Sequence, residues 1–181
     1  RYITLVPVST LLGLAFRLQR GLLLGWVTGL AALGLLYGAV IPTIPDLVAS
    51  NPDIADVIGA SANAEQALVD AFLRYVYVFM AVISTGFVVT SVLRLRAEEE
   101  TGRAELVLST GVSRTAWVGA TAVVAGVGAV LLSLAMGLGL ALGYALGMGD
   151  RSHLLGQVAA QLSYTPGVLL VAAVTLAIAG L

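Results

Sequence analysis

Cysteine and lysine are absent from this 181-residue sequence, histidine occurs once, at His153, and only 10% of the residues are charged. Each shortage excludes something. Without lysine there is no side chain to reach the phosphates of a P-loop nucleotide site and none to form a Schiff base. Without cysteine there is no thiolate nucleophile, no disulfide, and no cysteine-held zinc or iron–sulfur centre. A single histidine cannot build a histidine-rich metal site, so no metal or other cofactor is expected in this chain. A net charge of −1 offers nucleic acid little, because that binding rests on neutralising phosphates. The lack of charge itself says most. A soluble domain carries about 25% charged residues, whereas this chain is 59% hydrophobic with a mean hydropathy of +1.01. Such a composition cannot cover a water-facing surface. It belongs in a membrane.

Crossing about 30 Å of hydrocarbon takes roughly 20 apolar residues in a helix. Four segments meet or approach that length: 21–41, 75–93, 116–148 and 166–181. The expected fold is therefore all-α and polytopic, a bundle of about four transmembrane helices. The third segment is too long for one perpendicular crossing and too short for two, which predicts a single tilted or bent helix. The fourth is expected to start with Thr165 as N-cap and Pro166 at the first helical position. The chain opens on Arg1 and stops at Leu181 within an apolar run, so it reads as a piece of a longer polypeptide. No small-residue cleavage pattern follows the apolar start, and no signal peptide is expected. The stretch 2–16 is read either as an interfacial elbow helix or as the tail of a preceding span.

Arginine placement sets an orientation. Arg17 and Arg20 precede the first span, and Arg94, Arg96, Arg103 and Arg114 fall between the second and third. The loop 42–74 is acidic, with Asp46, Asp53, Asp56, Glu65 and Asp70 against Arg74. The N-terminal side of the first span is thus expected in the cytoplasm and the loop 42–74 outside, carrying short surface helices and an Asn51-Pro52 helix start.

Glycines repeat every four residues at Gly21, Gly25 and Gly29, with Gly34 and Gly38 beyond, and again at Gly139, Gly143 and Gly147. Residues four apart share a helix face, and small residues let backbones approach closely in lipid. These rows predict tight helix contacts within the chain or to a second copy. The spans hold no carboxylate or histidine of the kind that relays ions at membrane depth. Their polar residues, Ser84, Thr85, Thr90, Ser91 and Ser133, read as interhelical or intrahelical hydrogen bonders. With no paired ionisable residues, catalysis is not expected. Trp26, Tyr37, Tyr75, Tyr77 and Phe79 are candidates to line a path, or simply to anchor and pack.

The loop 94–115 is unusual. Leu93–Arg114 holds eight of the nineteen charges, four of each sign. A loop that merely orients a membrane protein needs arginine but not Glu98, Glu99, Glu100 and Glu105, and it has no use for Leu106-Val107-Leu108. If Glu98–Ser109 is helical, Glu99 and Arg103 form an i,i+4 pair, the glutamates sit at the positive helix start, Gly111 stops the helix, and Ser113 caps the next one. A short charged helix between two spans suits docking to a soluble partner.

The run Arg94-Leu95-Arg96-Ala97-Glu98-Glu99-Glu100-Thr101-Gly102-Arg103-Ala104-Glu105-Leu106-Val107-Leu108, followed by Ser109-Thr110-Gly111-Val112-Ser113-Arg114, resembles the first cytoplasmic loop of ABC-2-type exporter permeases. Arg17-Leu18-Gln19-Arg20-Gly21, Asn51-Pro52 and Asp70-Ala71-Phe72 are similar to segments in the antibiotic and multidrug branch of that family in GC-rich bacteria. Gly111 stands where that branch tends to have proline. The resemblance implies a permease of about six spans per unit, often two units in one polypeptide, of which this chain covers the first four spans. It implies a bacterial inner-membrane location, a second permease half or copy, and a separate pair of ATPase subunits holding the ATP and magnesium. The 94–115 loop would then be the coupling helix, and Glu98, Glu99, Glu100, Gly102, Arg103, Glu105, Leu106, Leu108 and Arg114 its coupling residues. The function implied is export of a hydrophobic or amphiphilic compound. The alternative from the residues alone is a membrane scaffold or sensor whose charged loop binds some other cytoplasmic protein.

Overall fold

The computed structural model describes residues 8–51, 64–100, 113–149 and 154–180. These residues form helices α1 (Val8–Val40), α2 (Ile44–Ser50), α3 (Ala64–Glu100), α4 (Arg114–Met148), α5 (Leu154–Leu162) and α6 (Thr165–Gly180), with a 3-10 turn at Ile41–Thr43 between the first two. There is no strand among the described residues. Among the described residues, four stretches are long and apolar enough to cross a bilayer: Leu12–Leu47, Gln66–Arg94, Thr115–Gly147 and Leu154–Ile178. The chain is a multi-pass, all-α membrane protein.

Three boundaries differ from the sequence expectation. Within the described residues, 8–16 do not form a separate elbow helix, because α1 runs unbroken from Val8. Arg17 and Arg20, both exposed, lie within this helix and do not end it. Second, Glu98, Glu99 and Glu100 lie in the last described turn of the 37-residue α3, so they do not open a short helix of their own. Third, the fourth span does not begin at Pro166. Helix α5 precedes it, and the two are separated only by Ser163 and Tyr164. Thr165 is the first residue of α6 rather than a cap, and its hydroxyl donates to Ser133 Oγ at 3.0 Å.

Other boundaries follow local chemistry. Pro42 lies in the first turn of the 3-10 segment, where a missing N–H costs nothing. Pro45 is the second residue of α2, and Asn51 Nδ2 closes that helix by donating to Leu47 O at 3.0 Å. The Asn51-Pro52 helix start falls outside the described residues. Helix α4 is a single helix, as its length required. It is capped at one end by Ser113, whose hydroxyl accepts from Ala116 N at 3.2 Å. At the other end Gly149 takes the left-handed conformation at φ 71, the stop that glycine provides without a Cβ penalty.

The spans alternate up and down. Gln19 meets Ser91, Trp26 meets Phe87 and Tyr37 meets Phe72, so α1 and α3 are antiparallel. Gly126 faces Leu169 while Gly137 faces Val158, which sets α4 against α5–α6. The core gathers Leu30, Met80, Phe87, Leu132, Met136 and Leu140, whereas Leu36, Leu146 and Leu155 are 62%, 78% and 84% exposed. Leucine inside and leucine outside is the pattern expected in lipid, where apolar side chains gain no burial from facing inward and packing decides association.

Candidate functional site

The close contact between α1 and α4 begins with glycine. A Cβ at Gly34 would lie 2.5 Å from Met136 O, and one at Gly147 would lie 2.6 Å from Pro42 Cγ. Cβ atoms at Gly38, Gly139 and Gly143 would run into the backbone carbonyls of Leu140, Ala31 and Leu35. Only glycine permits this approach. The row at Gly21, Gly25 and Gly29 behaves differently, with nothing within 4 Å of any of the three. Together with Trp26 and Ile83 they line an open apolar groove of about 430 Å³. Within the chain, then, α1 packs through Gly34 and Gly38.

One end of the bundle gathers most of the arginines among the described residues. The first turns of α1, the last turns of α3 and the start of α4 converge there, with Ala15 packed in a cluster with Trp117, Ala120 and Val124. Arg17, Arg20 and Arg94 are all exposed at this end. Just inside them, Ser91 Oγ donates to Gln19 Oε1, a pairing of two buried side chains 72 residues apart. Sequence reasoning noted Ser91 and missed Gln19. The Ser91–Gln19 bond ties α1 to α3 about two turns before Glu98.

Of the sequence-predicted coupling residues, Glu98, Glu99 and Glu100 belong to the final turn of α3 and Arg114 starts α4. The structure thus brings both flanks of the loop to the same bundle end. Gly102, Arg103, Glu105, Leu106 and Leu108, and the Glu99–Arg103 pair with them, fall outside the described residues, as does His153.

The intramembrane hydroxyls do what their type requires. Ser84 donates to Met80 O at 2.8 Å, Thr85 to Val82 O at 2.6 Å and Thr90 to Phe87 O at 3.1 Å. The aromatics pack: Trp26 is edge-on to Phe87 at 6.3 Å, Tyr77 lies 6.1 Å from Tyr164, and Tyr75 stacks on Phe79 at 5.8 Å. No group of three potential metal ligands occurs among the described residues.

Residues 8–181 match the family described as "Multidrug efflux system permease Rv1217c, C-terminal domain". A curated relative, the multidrug efflux system permease protein Rv1217c of Mycobacterium tuberculosis (strain ATCC 25618 / H37Rv), is 35% identical over 173 residues. The match takes in 93% of this chain and 31% of the relative. The chain therefore spans under a third of the length of the relative it matches.

Proposed function

The chain belongs to the family of the multidrug efflux system permease Rv1217c, C-terminal domain, and on that premise we propose that it is part of the membrane path of an ATP-driven exporter of hydrophobic or amphiphilic compounds. The single observation that carries the reading beyond family membership is the charged bundle end. Arg17, Arg20 and Arg94 gather where α3 runs into Glu98–Glu100 and where Arg114 opens α4. On the positive-inside rule that end faces the cytoplasm of a bacterial inner membrane.

The mechanism proposed is mechanical coupling. An ATP-binding subunit, present as a pair, grips the 94–115 loop through Glu98, Glu99, Glu100, Gly102, Arg103, Glu105, Leu106, Leu108 and Arg114. Its nucleotide-driven closure pulls on α3 and α4 together. Because α1 is keyed to α4 through Gly34 and Gly38 and to α3 through Gln19, a pull on the loop moves three spans as a body. A second permease half completes the path. This chain supplies no nucleotide site or catalytic group in that scheme; the partner holds ATP and magnesium.

Purification of the full-length permease in mild detergent tests the reading. A stoichiometric ATP-binding subunit is the expected companion. Recovery of the permease with a different cytoplasmic protein and no ATPase would favour the scaffold or sensor instead.

A further inference from the structure

The buried polar residues of α5 are unexplained by packing. Gln157 and Gln161 are 8% and 1% exposed, and the side-chain oxygen of each is sealed from solvent with no hydrogen-bond partner. They lie four apart and so share one face of α5. That face looks at α4. A Cβ on Gly137 would stand 3.0 Å from Val158 Cα and 3.4 Å from Gln161 Cβ. One turn further along the seam, Thr165 Oγ1 donates to Ser133 Oγ at 3.0 Å. The register is therefore Ser133 with Thr165 and Gly137 with Gln161; continued antiparallel, it sets Gln157 level with Ala141, which is 1% exposed. Small residues opposite the glutamines make the room in which the amides are buried.

An unpaired buried polar group costs about 1–3 kcal/mol, and hydrocarbon offers no water to relieve it. Leucine at both positions would pack an apolar seam without that cost. A neighbouring segment cannot pair with these oxygens in this arrangement either, since the chain's own helices already enclose them. A partner can reach them only if the seam opens.

The helix breaks in the right place. Pro166 has no N–H, so the carbonyl of Leu162 lacks its usual i+4 donor. Ser163 and Tyr164 leave the helix, with Tyr164 N bonding Gln161 O three residues back at 3.2 Å. Beyond the break, α6 is anchored by the Thr165–Ser133 bond and by buried Val168 and Ala172. Helix α5, nine residues and roughly 13 Å long, covers about half the hydrocarbon and is separated from α6 by this break.

We propose that α5 is a hinged half-span whose Gln157/Gln161 face, exposed when it swings from α4, binds the N–H or O–H donor group of an amphiphilic molecule. The inference rests on the efflux reading and adds a substrate chemistry to it: neutral amide acceptors select a hydrogen-bond donor and are indifferent to charge as such.

Two lipophilic monocations separate these demands. Ethidium carries aromatic amine donors, and tetraphenylphosphonium carries none. Export of each is measured for the full-length permease with its companion ATPase, as wild type and as the Gln157→Leu/Gln161→Leu double variant. The expected result is about a tenfold fall for ethidium, the scale of a lost hydrogen bond in a binding site. Tetraphenylphosphonium export should be unchanged and thermal stability not lowered. Loss of both probes, or of neither, overturns the site, as does lower stability of the variant, which would make the amides structural. Wild type that exports neither probe defeats the efflux reading itself. Labels at Leu146→Cys and Leu155→Cys, with other cysteines removed, follow the hinge. They should separate on ethidium addition, and Pro166→Ala, which restores the missing N–H, should abolish that change. An unchanged distance in wild type overturns the hinge.

Discussion

A Cβ on Gly143 would stand 3.0 Å from the Cα of Gly38, so these two glycines set how closely α4 can lie against α1. Backbone-to-backbone contact of this kind has no flexible side chain to yield. Gly143→Ala is therefore expected to push the helices apart and lower the thermal stability of the membrane-embedded protein. Gly25→Ala meets nothing within 4 Å and gains up to about 1 kcal/mol of helix propensity, so it should leave stability unchanged or raised. Comparing the two melting temperatures in one detergent checks the contrast.

The Gln19–Ser91 bond is the polar fastening of α1 to α3. Interhelical hydrogen bonds in membranes contribute about 0.6 kcal/mol on average and up to about 1.7. A double-mutant cycle on Gln19→Leu and Ser91→Ala should return a coupling energy near the upper figure, because both residues are buried. A coupling energy of zero would mean that the two side chains act independently.

Reversing charge in the loop tests the docking surface. The Glu99→Arg/Glu105→Arg variant should insert and fold normally, since Glu99 lies beyond the spanning stretch Gln66–Arg94 and Glu105 belongs to the charged run 94–114 of the sequence. It should lose most drug-stimulated ATP hydrolysis and export. Unchanged activity in a folded variant would remove these glutamates from the coupling surface.

The spans were legible because apolar length is written locally. The Ser113 cap was legible for the same reason, since a serine before an apolar run has one obvious use. The break before α6 was half legible. Pro166 announced it, but the residues 154–162 look too polar for a span until Gln157 and Gln161 are seen to be buried against α4. The glycine rows show the limit most clearly. Both rows have the same spacing, yet only the contacts reveal that α1 uses Gly34 and Gly38 for α4 and leaves Gly21, Gly25 and Gly29 on an open groove. Gln19 was invisible for a similar reason. Its partner lies 72 residues away, and nothing in its neighbourhood marks it as buried.

The central claim is that an ATP-binding subunit holds the 94–115 loop from the cytoplasm, and a single crosslink tests it directly. This sequence has no cysteine, so Glu105→Cys supplies a unique thiol within it once any elsewhere in the full-length protein are removed. A membrane-permeant bifunctional reagent in intact cells should join position 105 to the ATP-binding subunit, with the thiol shielded from impermeant maleimide added outside. Labelling by the impermeant maleimide, without an adduct to the ATPase, would contradict the account.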